Sequence, residues 1–320
     1  VIAVTGATGF IGRHLTRALV DRGDAVHAIV RDHPRRAATP LDPRVTVVHA
    51  QLEHNALADA FRGVAVVVHL AGVVSTVQDD EYVAVNAEGT RAVAAAALAN
   101  GARLVYISSL AAAGPASASA PRSEDDPPSP INAYGRTKLE GERAIAAMPG
   151  LHATTLRPGI VYGSGDRALR PLFDLAELGV MPIVGREDAA YSMIHVSDLV
   201  RAIVAAVDRG AAGDTMFAAH PQPVTTRELI EGVKRAAGSG AILLPVPMTL
   251  LRCLAVLGDA GGTMTGKPWP MNSRRYDEMA ADGFVCTVDR LRDHLGIVAG
   301  LDLDAGLRET AEWIRTARRR

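Results

Sequence analysis

Tyr134 and Lys138 stand four residues apart in Tyr134-Gly-Arg-Thr-Lys138, with Ser109 twenty-five residues upstream. The spacing predicts a helix over residues 133–147 with both side chains on one face, about one turn apart. A phenol beside an ammonium can give and take a proton. The free phenol titrates near ~10, and an adjacent positive charge favours phenolate and pulls that value toward neutrality. Lysine is rare here: only Lys138, Lys234 and Lys267 occur, so one of three follows a tyrosine by one helical turn. Such a spacing also arises by chance, so its weight depends on its surroundings.

The surroundings begin with Gly6-Ala-Thr-Gly9-Phe-Ile-Gly12, directly after a predicted strand and at the start of a predicted helix. Glycines at these places allow a tight turn and let the backbone approach a pyrophosphate, whose charge meets the N–H groups of the helix N-terminus. The end of the second strand selects the cofactor. Val30 is followed there by Arg31, with Arg35 and Arg36 close behind. Guanidinium groups suit a 2′-phosphate, so NADP is the preferred cofactor. Asp32 keeps NAD open, because it would accept a ribose hydroxyl if the turn were shifted by one residue.

These motifs need a sheet to hold them. Val1–Thr5, Ala25–Val30, Val45–His49, Ala65–Leu70 and Leu104–Ile107 are short Val- and Ile-rich runs. Amphipathic stretches at Ile11–Asp21, Ala56–Arg62 and Asp80–Asn100 lie between them. Continuous apolar strands alternating with helices predict a parallel sheet covered on both faces. A sixth strand at Ala153–Arg157 is expected to complete it. The fold class is therefore α/β: a Rossmann-type doubly wound parallel sheet with a smaller C-terminal α/β lobe. Residues 1–160 are assigned to the dinucleotide-binding domain, with 192–220 returning to it, and 161–320 to the substrate lobe. The Pro- and Ser-rich stretch 114–130 reads as a flexible surface loop of the kind that serves as a lid or binding segment. Ile242–Leu257 is the most apolar run; Pro245, Pro247 and Arg252 interrupt it, and it reads as a strand followed by a buried helix, with association at a lipid surface as the alternative.

Bulk composition narrows the partners. The chain has 320 residues, 48% hydrophobic and 22% charged, with a net charge of −1. Near-neutral charge argues against nucleic acid, which leaves a basic footprint on its partners. The basic end Arg318-Arg319-Arg320 reads as a solvated helix terminus. Cys253 and Cys286 lack metal-ligand spacing, so no metal is expected and a reduced cytoplasmic setting fits. No stable membrane insertion is expected. No signal peptide is visible, although Val1 already lies inside the first apparent strand, which leaves a short preceding leader open.

Taken in order, the motifs resemble those of the extended short-chain dehydrogenases/reductases, the NAD(P)-dependent epimerase/dehydratase superfamily. They are Thr5–Gly12, His69-Leu-Ala-Gly72, Asn86 in Val85-Asn-Ala-Glu-Gly-Thr90, Ser108-Ser109, Tyr134–Lys138, Leu156-Arg-Pro-Gly-Ile-Val-Tyr-Gly163 and Ile194-His-Val-Ser-Asp-Leu199. The resemblance implies that Tyr134 is the general acid/base, that Lys138 lowers its pKa and binds the nicotinamide ribose, and that Ser109 bonds the substrate oxygen. It implies cofactor contacts from Gly6, Gly9, Phe10, Ile11 and Gly12, from Leu70, Ala71 and Gly72, and from Asn86 and Pro158. Gln51-Leu52 replaces the family's usual Asp-Leu at the adenine. His195, Ser197 and Asp198 are read as the start of a helix, with Ser197 or Asp198 as its cap. Family dimers often pair the helices that correspond to residues 80–100 and 133–147. The Ala-rich face of Ala87–Ala99 suits such a homodimer, or equally its own sheet.

The reaction class follows from departures. The family's dehydratases carry acidic residues after the serine; here Leu110-Ala111-Ala112 follows Ser109. Many of its sugar-nucleotide epimerases carry an asparagine where this chain has Pro158-Gly159-Ile160. The Arg-Pro form looks more like the 3β-hydroxysteroid dehydrogenase and dihydroflavonol reductase branch. Met193 and Pro245–Leu251 offer apolar surface. The expected activity is reversible redox between an alcohol and a ketone or aldehyde on a relatively apolar small molecule. The alternatives are a nucleotide-sugar epimerase or reductase, with Arg170, Arg186 and Arg274 on phosphates, and a non-catalytic cofactor sensor.

Overall fold

The computed structural model describes residues 1–31, 41–74, 76, 78–266, 269 and 271–318. The chain opens with β1 (Ile2–Thr5), α1 (Phe10–Asp21), β2 (Val26–Val30), β3 (Thr46–His49), α2 (His54–Ala60) and β4 (Val66–His69). A long helix follows in three parts: α3 (Asp79–Tyr82), a π-helical stretch at Val83–Glu88, and α4 (Gly89–Ala99). Then come β5 (Arg103–Ile107), α5 (Leu110–Ala113), α6 (Ala133–Ala146) and β6 (Ala153–Pro158). Every residue of β1 and β4 is buried, as continuous apolar strands require when helices cover both faces.

The second half supplies β7 (Ile160–Tyr162), α7 (Arg170–Glu177), β8 (Val180–Val184), β9 (Ala190–Tyr191), β10 (Met193–His195), α8 (Val196–Arg209) and β11 (Thr215–Ala218). It ends with β12 (Val224–Thr225), α9 (Thr226–Ala237), β13 (Ile242–Val246), α10 (Met248–Thr265), α11 (Ser273–Ala280), β14 (Gly283–Phe284), α12 (Asp289–Leu295) and α13 (Leu303–Arg318).

The central sheet is parallel and runs β11-β6-β5-β4-β1-β2-β3. Its order reverses between β1 and β4, where Thr5 lies beside His69, and such a switch point opens a ligand crevice at the strands' carboxyl ends. The sixth strand does not complete the sheet. β11 adds a seventh by pairing Thr215 with Thr155, and α8 packs Leu199 and Ile203 into the same core as Leu15 and Leu19 of α1. The opposite face holds Leu57, Val93, Ala94, Ala96 and Ala97, so the Ala-rich side of α4 turns inward onto its own sheet. A separate core of Phe173, Met181, Ile183, Ile230, Val233 and Leu307 builds the second lobe.

Three further expectations need correction. Residues 114–130 are tied down rather than loose: Ala116 and Arg122 make parallel bridges to Phe284 and Cys286. Arg122 also donates to Pro115 O at 3.1 Å and Ser129 Oγ at 2.8 Å, so one guanidinium clasps both ends of the stretch. The helix expected to be buried, α10, buries only Leu251, Ala255, Gly258 and Gly262. The cap of α8 is His195, whose ring Nδ1 accepts from Ser197 N at 3.3 Å, two residues before the earlier of the two expected caps. Asp198 instead accepts from Gly300 N and Leu301 N, at 2.9 and 3.0 Å, and anchors the chain ahead of α13.

Candidate active site

The glycine turn lies at the switch point. Gly6 has φ +71, and a Cβ there would stand 2.7 Å from Ala71 N; a Cβ at Gly12 would stand 2.2 Å from Gly6 O. Side chains are excluded at both places, so only glycine lets the turn close this tightly against the backbone of residues 6–7 and 70–71. Gly9 caps α1 without a side-chain hydrogen bond, which leaves the first N–H groups of a twelve-residue helix for an anion. Phe10 and Ile11 line this turn half-buried. Leu70, Ala71 and Gly72 leave β4 beside it, held by Leu70 N to Thr5 O at 3.2 Å and Ala71 N to Thr5 Oγ1 at 3.3 Å. The residues present fit a dinucleotide.

Gly72 links this cradle to the lysine: a Cβ on it would lie 3.2 Å from Asn86 Oδ1 and 3.9 Å from Lys138 Nζ. Asn86 sits in the π-helical stretch, whose extra residue per turn re-aims side chains, and such stretches recur at functional sites. Its side chain is buried. Oδ1 accepts from Val73 N at 2.8 Å, while Nδ2 donates to Val73 O at 2.9 Å and to Thr137 Oγ1 at 3.3 Å. Asn86 therefore holds the segment after Gly72 against α6.

Helix α6 starts where Asn132 accepts from Gly135 N at 2.7 Å. Tyr134 stands in its first turn, half-buried, its ring 6.4 Å from that of Tyr82. One turn later Lys138 is 3% exposed and donates from Nζ to Ile107 O at 2.7 Å, with Nζ 4.3 Å from the Tyr106 ring centre. Burial pulls the Lys138 ammonium down to about 7, while Glu142, another turn on, pulls it up. Ser109 follows β5 and caps α5, its Oγ accepting from Ala111 N at 3.2 Å. A Cβ at Gly135 would sit 2.3 Å from Ala111 O, so this short turn presses on the first turn of α6.

Two groups behind the site escaped the sequence reading. Glu142 accepts from Arg157 Nε at 3.0 Å and Nη2 at 2.6 Å, and Ser108 also donates to it, all at the buried end of β6. The four-residue step from Lys138 to Glu142 was the available signal. The second group is a buried relay. Thr90 donates to Asn86 O at 2.7 Å, so its oxygen accepts from His69 Nε2 at 3.0 Å, and His69 Nδ1 accepts from Thr5 Oγ1 at 2.6 Å. This fixes a neutral ring, and burial followed by the Lys138 charge lowers its pKa to about 3. Thr5 and Thr90 gave no sequence signal beyond their motifs.

The remaining candidates lie at the rim. Arg31 is exposed just after β2, while Asp32, Arg35 and Arg36 fall outside the described residues. Gln51 is exposed, Leu52 lies against Gly89, and Pro158 ends β6 buried. Met193, expected to offer apolar surface, is 1% exposed and belongs to the second core. Of the phosphate candidates, Arg186 is paired with Asp188 at 3.0 Å and Asp282 at 2.6 Å, and Arg170 lies 4.0 Å from Asp174. The side chain of Arg274 falls outside the described residues. Cys253 and Cys286 are free thiols, and burial pushes Cys286 up to about 12. Among the described residues no helix is long and apolar enough to cross a membrane.

The model of the NAD-dependent epimerase/dehydratase family matches residues 2–218. A ceramide reductase of Caulobacter vibrioides is 30% identical over 321 residues, covering 99% of this chain and 95% of the relative. A 4-hydroxy-2-methyl-3-oxo-4-farnesyl-3,4-dihydroquinoline-1-oxide ketoreductase of Stigmatella aurantiaca is 31% identical over 270 residues, covering 80% of this chain and 79% of the relative. Among solved structures, MoeE5 in complex with UDP-glucuronic acid and NAD superposes with a TM-score of 0.78 at 26% identity, covering 99% of both chains. A dinucleotide cradle at the switch point, a buried lysine one turn past a tyrosine, and a family match over two thirds of the sequence converge: this chain belongs to the NAD-dependent epimerase/dehydratase family of extended short-chain dehydrogenases/reductases.

Proposed function

We propose that this protein is an NAD(P)-dependent oxidoreductase that interconverts an alcohol and a ketone or aldehyde on a largely apolar small molecule. The observation that carries the reading is Lys138: a buried ammonium fixed to Ile107 O at 2.7 Å, one turn beyond a half-buried phenol and beside the cofactor cradle. When bound, the nicotinamide cofactor supplies or accepts the hydride. Tyr134 gives its phenolic proton to the substrate oxygen in reduction and takes it back in oxidation. Lys138 stabilises charge on that phenol as the proton leaves. Ser109 spends only a lone pair on Ala111 N, so its hydrogen remains for the substrate oxygen. Asn86 keeps the floor of the site in place through Val73 and Thr137.

The substrate class rests on what is missing from acid–base and phosphate chemistry. Leu110 and Ala111 after Ser109 offer no acid or base for expelling water. Ile160 stands, 41% exposed, where a polar contact to a diphosphate would be needed. Two relatives are named for a ceramide and for a farnesylated quinoline. NADP is preferred over NAD on the strength of Arg31, even though the MoeE5 structure holds NAD. A homodimer through the long helix and α6 belongs to the proposal; a cleft of about 420 Å³ lined by Arg91, Glu140 and Arg143 marks that outer face.

The second reading, a nucleotide-sugar epimerase or reductase, is favoured by the likeness to MoeE5 with its UDP-glucuronic acid. Against it, the charge of Arg186 is already engaged by two aspartates. Turnover of NADPH with a panel of long-chain ketones and aldehydes, beside calorimetry with UDP-sugars, separates the two. Turnover without UDP-sugar binding is the expected result; tight UDP-sugar binding would overturn the preference.

A further inference from the structure

The second lobe presents an apolar surface that neither its core nor the active site uses. On α10, Leu251, Ala255, Gly258 and Gly262 recur at helical spacing and form the buried side. Leu250, Leu254, Leu257 and Met264 occupy another side of the same helix and are 50%, 43%, 63% and 87% exposed. Their steps of four, three and seven residues make a single stripe, about 21 Å long at the helical rise. Gly261 falls on this stripe, and the ring of Trp269, 46% exposed, rests against it.

Charge identifies the occupant. Between Ile242 and Gly266 the sequence holds one cation and one anion, Arg252 and Asp259. On the helical wheel both lie nearly opposite the stripe, and Asp259 already accepts from Ser273 N at 3.2 Å. Among the described residues of α10, the stripe itself carries no charge for a polar protein partner to pair with. A neutral bilayer surface needs no pairing. It accepts an apolar helical face laid flat, with a tryptophan at its edge, where the ring is buried and the indole N–H stays wet.

We propose that the exposed stripe of α10 seats this protein on the surface of a neutral lipid bilayer, without crossing it. The inference deepens the apolar-substrate reading by naming the membrane as the place where such a substrate is met. Its test needs no turnover, so the two can fail separately.

The test is flotation of the full chain with phosphatidylcholine vesicles, at about 0.05 M and about 0.5 M salt, the second screening charge to within a few ångström. Wild type is expected to float equally at both. The double variant Leu257→Glu with Met264→Glu should partition at least about tenfold more weakly, while Thr263→Glu, off the stripe, stays within about twofold. In wild type, brominated phosphatidylcholine should quench fluorescence, and Trp269→Phe should remove that quenching; this arm stands even if the double variant fails to fold. The proposal is overturned if wild type stays in solution without quenching. It is equally overturned if flotation requires anionic lipid and is released by salt, or if the stripe instead holds two copies together in a dimer that the double variant dissolves.

Discussion

Helices α6 and α10 break the ordinary rule of burial in opposite directions. On α6, Thr137 and Lys138 are inside the protein, and Glu142 is 11% exposed. On α10, leucines and a methionine face out. The inward polar groups each have partners: Ile107 O for the lysine, Arg157 and Ser108 for the glutamate, and the Ala133 carbonyl for the threonine, at 3.0 Å. Buried charge is tolerated only on those terms. The outward apolar groups of α10 have no such network, and α10 begins at Pro247 without a side-chain cap, whereas Asn132 caps α6. The proposed chemistry rests on a helix locked to the sheet, and the proposed seat on an apolar surface is a helix whose outer face adds little to the fold.

Removing the partner of the buried carboxylate on α6 should give the largest effect on stability. Arg157→Leu leaves the Glu142 carboxylate buried beside Ser108 and is expected to cost about 3–5 kcal/mol in urea unfolding. Leu257→Ala on α10 should change the same measurement by less than about 0.5 kcal/mol, because that side chain packs little in the folded state. Equal costs would erase the distinction between the two helices.

The relay behind α6 gives a second effect, readable by pH. The folded pKa of His69 is about 3 and its unfolded value is 6.5, so the unfolded chain takes up a proton first. Stability contributed by the neutral ring is full above 6.5 and is lost as pH falls toward 3. Unfolding free energy should therefore drop across that window, and His69→Gln should flatten part of the slope. A slope unchanged by His69→Gln would remove the ring from the account. The smallest effect concerns the rim: Arg31→Ala should weaken NADPH about tenfold and leave NADH within about twofold, measured by direct titration. Equal losses would reverse the cofactor preference.

Much of the sheet and the place of the glycine turn in it were legible in the sequence, because strand runs and glycine turns are local. Gly6, Gly9 and Gly12 announce themselves by spacing, and Tyr134 and Lys138 by one helical turn. What was not legible depends on distant pairing. The return of 192–220 was expected, but not that Thr215–Ala218 would form a seventh strand, whose Thr215 pairs with Thr155 sixty positions earlier. The stretch 114–130 read as loose because its anchors, Phe284 and Cys286, lie far along the chain. The π-helical stretch around Asn86 leaves no mark in a pattern of alanines and valines. The exposure of α10 was misread for the opposite reason: apolar residues imply a core only when something covers them.

In the proposed reaction Tyr134 moves the proton while its neighbours hold the cofactor. The most direct measurement is turnover of Tyr134→Phe with NADPH and a ketone found active with wild type, alongside the Kd for the cofactor. Turnover should fall at least about a thousandfold while the Kd stays within a few-fold, since general acid–base groups carry factors of this size. Turnover retained at a substantial fraction of wild type would contradict it, and the proton would have to come from another group.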